Sequence, residues 1–197
     1  FIDAGRPPWP TQLVELFDRI QSEAIFDLTP VTLDSLKSKS IAVRSLMAEW
    51  CALEPDVRFQ RIIDFAQQNG IDACSGKEPL RWSEIQQMNR SGITFGSHTV
   101  FHSILPKVSP RVVDEELANS KRRIEEKLQA PCVSFAFPDG AYTEAVCRRV
   151  AENGYTYAVT QDKGANQEDL DCLSIKRIEV PYHDPLPTFK ARISLAI

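Results

Sequence analysis

No run in this 197-residue chain approaches the roughly 18 consecutive apolar residues of a membrane span, so it reads as soluble, whether cytoplasmic or exported. Its opening, Phe1-Ile-Asp-Ala-Gly-Arg-Pro-Pro-Trp-Pro10, lacks the charged start and apolar middle of a signal peptide. It also lacks an initiator methionine, which leaves a targeting segment upstream open. Lys and Arg are scattered among Asp and Glu at a net charge of −4. That distribution contains no basic stripe, which argues against nucleic acid or an anionic membrane as partner. The five cysteines, Cys51, Cys74, Cys132, Cys147 and Cys172, form no CxxC pair, so neither a cysteine zinc site nor a redox motif is indicated. An odd number leaves at least one thiol unpaired within the chain. Cys132 and Cys147 lie in apolar patterns and read as small buried hydrophobes. Internal repeats and low-complexity linkers are absent, and no pattern fixes an oligomeric state.

With 43% hydrophobic residues, the chain is long enough to bury a core, and its size suits one large domain. The first part reads as helical. Leu13, Leu16, Phe17 and Ile20 fall at helical spacing in Pro10 to Ile20, and similar patterns predict helices over Leu33 to Leu53 and Asp56 to Asn69, the latter stopped by Gly70. A short helix, Ser83 to Arg90, ends at Gly92. After it, short β-like runs alternate with amphipathic helices: Ile93 to Gly96, Pro110 to Leu128, Val133 to Phe137, Thr143 to Asn153, Tyr155 to Thr160 and Ile175 to Val180. Such alternation implies a parallel sheet, open or closed into a barrel. Ser109 is the expected N-cap of the helix that Pro110 opens. Within that helix Lys121 can pair with Glu125 and Arg122 with Glu126, which makes it a solvated face.

Histidine is the scarcest of the chemically useful residues, with three in all, and two of them, His98 and His102, sit four apart after an apolar run. On a helical turn that spacing puts both imidazoles on one face, within reach of one divalent metal at about 2.0–2.1 Å. In parallel α/β folds the reactive residues gather at the carboxyl ends of strands. His98 follows one such end, and the loop Phe137-Pro138-Asp139-Gly140-Ala141-Tyr142 follows another, with Pro and Gly able to aim its backbone groups.

The stretch His98-Thr99-Val100-Phe101-His102 resembles the metal motif of the polysaccharide deacetylases, carbohydrate esterase family four. Phe135-Ala-Phe-Pro-Asp-Gly-Ala-Tyr142 is similar to that family's next conserved loop, and Lys176-Arg177-Ile178 to a later strand. The opening from Phe1 to Trp9 is similar to the segment after the second barrel strand in members with a helical insertion. The resemblance implies a distorted (β/α) barrel, incomplete at its amino-terminal end. Residues of about 10–80 would form a helical insertion and 82–197 the barrel core of a single domain. The family's Thr-Phe-Asp-Asp stretch, which supplies a catalytic base and a third metal ligand, has no counterpart here. Asp34 lies in a helical pattern without a second carboxylate and is rejected as a substitute. The alignment of the opening segment implies that the missing motif belongs upstream of Phe1.

What the resemblance implies is a hydrolase that removes N-acetyl groups from a polysaccharide or amino sugar by metal-activated water. His98 and His102 would hold the divalent metal, zinc being the first expectation. The backbone N–H of Asp139 would stabilise the oxyanion, and Pro138 and Tyr142 would border the N-acetylated glycan. His183 would protonate the departing amine, although Pro181-Tyr182-His183 departs from the family's Leu-x-His. Ala136 or Phe137 stands where other branches carry an arginine. The alternatives are a catalytically silent glycan-binding or interaction domain, and an amidohydrolase acting on a small cyclic amide.

Overall fold

The computed structural model describes residues 2–3, 5–73, 79–167, 171–181 and 183–194; Cys74 and Tyr182, named above, lie outside them. The chain divides into two compact units, residues 1–93 with 100–103 and residues 94–99 with 104–197.

The first unit contains helices α1 (Trp9–Arg19), α2 (Leu36–Trp50), α3 (Pro55–Gln68) and α4 (Trp82–Arg90), and the antiparallel strands β1 (Glu23–Phe26) and β2 (Thr29–Thr32). The apolar stripe of α1 buries Leu13, Leu16 and Phe17. Phe17 stacks on Phe65 of α3 with ring centroids 5.2 Å apart, and Phe26 of β1 closes the cluster 5.0 Å from Phe65. The hairpin was not expected from the sequence pattern. It turns on Asp27 and Leu28, both at positive φ (45° and 67°), as a tight two-residue turn requires, but without the Asn-Gly or Asp-Gly pair that marks such turns. The side chain of Asn69, which caps α3, substitutes for a further strand: its Oδ1 accepts from Ile25 N at 2.7 Å and its Nδ2 donates to Ile25 O at 3.0 Å. The helix predicted from Leu33 instead begins at Leu36. Ser35 caps it by accepting from Ser38 N, and Leu33 is buried while its N–H donates to Ser22 O.

The second unit is built on a parallel sheet in the order β3 (Ser134–Ala136), β4 (Tyr157–Lys163) and β5 (Ile175–Arg177), with helices α5 (Pro110–Leu128), α6 (Glu144–Glu152) and α7 (Leu186–Ser194). Its core joins Leu117 and Val113 of α5 to Phe135, Phe137, Tyr155 and Val150. Phe135 meets Phe137 edge to face at 5.2 Å. The Tyr155 hydroxyl donates to Leu117 O at 2.9 Å, and burial holds its phenol above the ordinary range. The predicted strand Ile93 to Gly96 does not form. A single parallel bridge joins Ser97 to Phe135 instead, through Ser97 N to Ser134 O and Ala136 N to Ser97 O. The backbones approach closely beside this bridge: a Cβ at Gly96 would lie 2.5 Å from Ser134 Oγ. Two strands shift as well: the run predicted from Tyr155 starts at Tyr157, and the one predicted to Val180 ends at Arg177. Helix α5 matches its predicted bounds and its Lys121–Glu125 and Arg122–Glu126 pairs are present. Ser109 occupies the N-cap position but its side chain makes no capping bond. Lys121 is not simply solvated, since its ammonium donates to Cys132 O and lies 5.1 Å from the Tyr155 ring centroid.

Candidate functional site

Strand β3 ends at Ala136, and the carbonyl of Ala136 lies 2.7 Å from Nδ1 of His98. A carbonyl can only accept, so Nδ1 carries the proton and the lone pair of the neutral ring resides on Nε2. Histidines that bind metals through Nε2 are commonly fixed in this way. The ring is exposed. Its backbone is set by the following residue, Thr99, which is buried at φ 65° with its hydroxyl donating to His98 O.

Directly after β3, Phe137 is fully buried and Pro138-Asp139-Gly140 forms a 3-10 turn. Asp139 is left-handed (φ 51°, ψ 18°) and exposed. The two N–H groups that follow are used within the turn, Gly140 N donating to Phe137 O and Ala141 N to Pro138 O. Among the described residues the Asp139 N–H has no acceptor. Gly140 is required by both conformation and space, because φ is 65° and a Cβ would lie 2.5 Å from Gln161 N. That contact seats the turn against β4. Tyr142 packs on Phe137 with centroids 5.5 Å apart and its hydroxyl donates to Asp162 Oδ2 at 2.7 Å. The Asp162 carboxylate favours the neutral phenol and so pushes the Tyr142 pKa up. Gln161 and Lys163 of β4 and Arg177, Ile178 and Glu179 line a cleft of 360 Å³. Lys163 binds Glu179 at 2.7 Å, and this partner lowers the Glu179 pKa.

The histidine pair does not sit on a helical turn, which corrects the reading from its spacing. Thr99 at φ 65° and His102 at φ 55° are left-handed, and no helix covers residues 98–102. In a helix, four-residue spacing places side chains on one face because every residue between them holds right-handed helical angles, which this segment does not have. His98 belongs to the second compact unit and His102 to the first. His102 is half-buried, and its carbonyl accepts from Trp9 Nε1 at 3.1 Å. His183 is exposed in the segment between β5 and α7. The Ala136 carbonyl and Asp162 are contributors that the sequence did not indicate. A backbone acceptor carries no residue-type signal, and Asp162 lies in a strand whose predicted end fell short of it.

The donor chemistry suits a divalent cation in one respect, the Nε2 lone pair of His98. Among the described residues no group of three or more His, Cys, Asp or Glu side chains is placed to hold a metal.

Residues 16–158 match the polysaccharide deacetylase family model, and the chain belongs to that family. The matched span includes His98, His102, Pro138, Asp139 and Tyr142, and excludes His183. The protein YxkH of Bacillus subtilis (strain 168) is 27% identical over 104 residues, covering 53% of this chain and 37% of that protein. A polysaccharide deacetylase from Bacillus cereus is 29% identical with a TM-score of 0.54 over 59% of this chain and 37% of that one. A Streptococcus pyogenes deacetylase in complex with acetate shares the fold at 24% identity, with a TM-score of 0.56 over 62% of this chain and 53% of that one. The chain thus spans between about a third and a half of these relatives. The fold is the mixed α/β fold of the family, an incomplete distorted barrel.

Proposed function

We propose that this chain forms part of a metal-dependent hydrolase that removes N-acetyl groups from a glycan, within one domain whose barrel core is 82–197 and whose helical insertion is about 10–80. The observation that carries the proposal is the fixed tautomer of His98, held by the carbonyl of Ala136 at the end of β3, three residues before an unspent Asp139 N–H. His98 and His102 would hold a divalent metal, zinc for preference, and the cation would supply Lewis acidity toward an acyl oxygen and toward water. The Asp139 N–H would donate to the oxyanion of the tetrahedral intermediate, a role for which a pre-aimed backbone donor suffices. Pro138 and Gly140 hold that donor in place. Tyr142, its hydroxyl tied to Asp162, would border the sugar through its ring, and His183 would protonate the departing amine.

Acetate release from acetylated glucosamine oligomers tests this reading. Release should stop on adding a chelator and fall at least 100-fold in His98→Ala. Turnover that survives both treatments would contradict it. The absence of a three-residue ligand cluster among the described residues favours one other reading, a silent glycan-binding domain. Binding of the same oligomers without acetate release would support that instead.

A further inference from the structure

His102 has an uncommon backbone. At φ 55° it is left-handed, a conformation that few residues with a Cβ adopt. Two side chains from the helical part of the same compact unit bond the carbonyls on either side of it. Trp9, at the start of α1 and 6% exposed, donates its indole N–H to His102 O at 3.1 Å. Arg58 of α3, 1% exposed, donates Nη1 to Phe101 O at 3.3 Å, Nε to Trp50 O at 3.0 Å and Nη2 to Leu53 O at 2.7 Å. One guanidinium therefore ties the end of α2 to the peptide just before His102. The two anchors also support each other, with Arg58 Cζ 4.9 Å from the Trp9 ring centroid. Both bonds end on backbone carbonyls, so they fix the chain's path through residues 101–102 whatever the imidazole does.

We infer that Trp9 and Arg58 are positioning residues for His102, so that the helical segment sets how well the second motif histidine is presented to a cation. This rests on the reading of His102 as a metal ligand. Trp9→Phe keeps an aromatic ring and removes only the donor, and Arg58→Met keeps the length and removes all three bonds. Cobalt(II) titration of the full chain well below its melting temperature should show affinity weakened about tenfold in either variant, the usual scale for losing a group that orients a ligand. A purely structural role would lower the melting temperature and leave cobalt affinity unchanged.

The decisive comparison places Trp9→Phe in a His102→Ala background, where its effect on cobalt affinity should vanish. An equal loss in both backgrounds, or no loss in either, overturns the inference. If His102→Ala alone leaves cobalt affinity unchanged, the metal reading has failed by itself. Positioning is then decided by the ¹³Cα and ¹³Cβ shifts of His102, which should lose their left-handed signature in Trp9→Phe and would stay put if the inference were wrong. Should Arg58→Met not fold, the same measurements on Trp9→Phe alone decide between the two outcomes.

Discussion

Gly140 and Tyr142 show how single residues hold the loop after β3. A Cβ at position 140 meets the backbone of β4 at 2.5 Å and cannot be relieved by a rotamer change. Gly140→Ala should therefore cost about 2 kcal/mol or more, combining left-handed strain with displacement of the turn, as read by urea denaturation. Tyr142→Phe removes one hydrogen bond to Asp162 and should cost about 1 kcal/mol near neutral pH. The pH dependence has a definite sign. The phenol's pKa is raised in the folded state, so its contribution is complete below the unfolded value of about 10 and is lost as pH climbs through the folded value. Wild-type stability should accordingly fall more steeply above pH about 10 than that of Tyr142→Phe. Equal slopes would show that the Asp162 contact is not formed in solution.

At the scale of elements, much was readable because periodicity and punctuation agreed. Helix α5 runs from Pro110 to Leu128 as its stripe and opening proline predict, and Gly70, at φ 65°, follows the cap of α3. The failures have physical causes. The β1–β2 hairpin lacks a turn signature because Leu28 occupies a left-handed position at 83% exposure. Leu28→Gly should relieve that strain and raise stability by about 0.5–1 kcal/mol despite the freer unfolded chain. A fall in melting temperature would count against the turn as described. Helix α7 buries no residue, so no amphipathic stripe announced it. The histidine motif was readable as residue types and spacing, but its conformation was not, since left-handed Thr99 and His102 look like any other residues in sequence.

The joint between α5 and β3 is equally specific. Glu125 accepts from Cys132 N at 3.0 Å and pairs with Lys121 at 3.0 Å. The Cys132 N–H first, then Lys121, lowers its pKa. A depressed carboxylate contributes stability above its unfolded pKa and loses it as pH falls through the folded one. Glu125→Gln should thus be less stable by about 1 kcal/mol at pH 7, a modest figure because the site is well solvated. The difference should close below pH about 4.

Across the whole molecule, the resemblance to the family rested on two short motifs about forty residues apart; His98 and the Pro138 loop lie in the unit built on the parallel sheet, and His102 lies in the other unit. The match over residues 16–158 extends well into the helical half, where the motif residues themselves gave no indication. Mooring of His98 by the Ala136 carbonyl was beyond any sequence pattern, because every residue has a carbonyl and only the path of β3 decides which one meets the ring. This is the feature on which the chemistry depends: it turns an exposed histidine into one with a defined tautomer at a strand end.

Long-range ¹H–¹⁵N correlation of the His98 ring, recorded before and during titration with zinc(II), tests that feature most directly. A proton on Nδ1 is expected in the metal-free chain, with a zinc-dependent shift confined largely to Nε2. A proton on Nε2, or ring signals that zinc leaves unmoved, would contradict it.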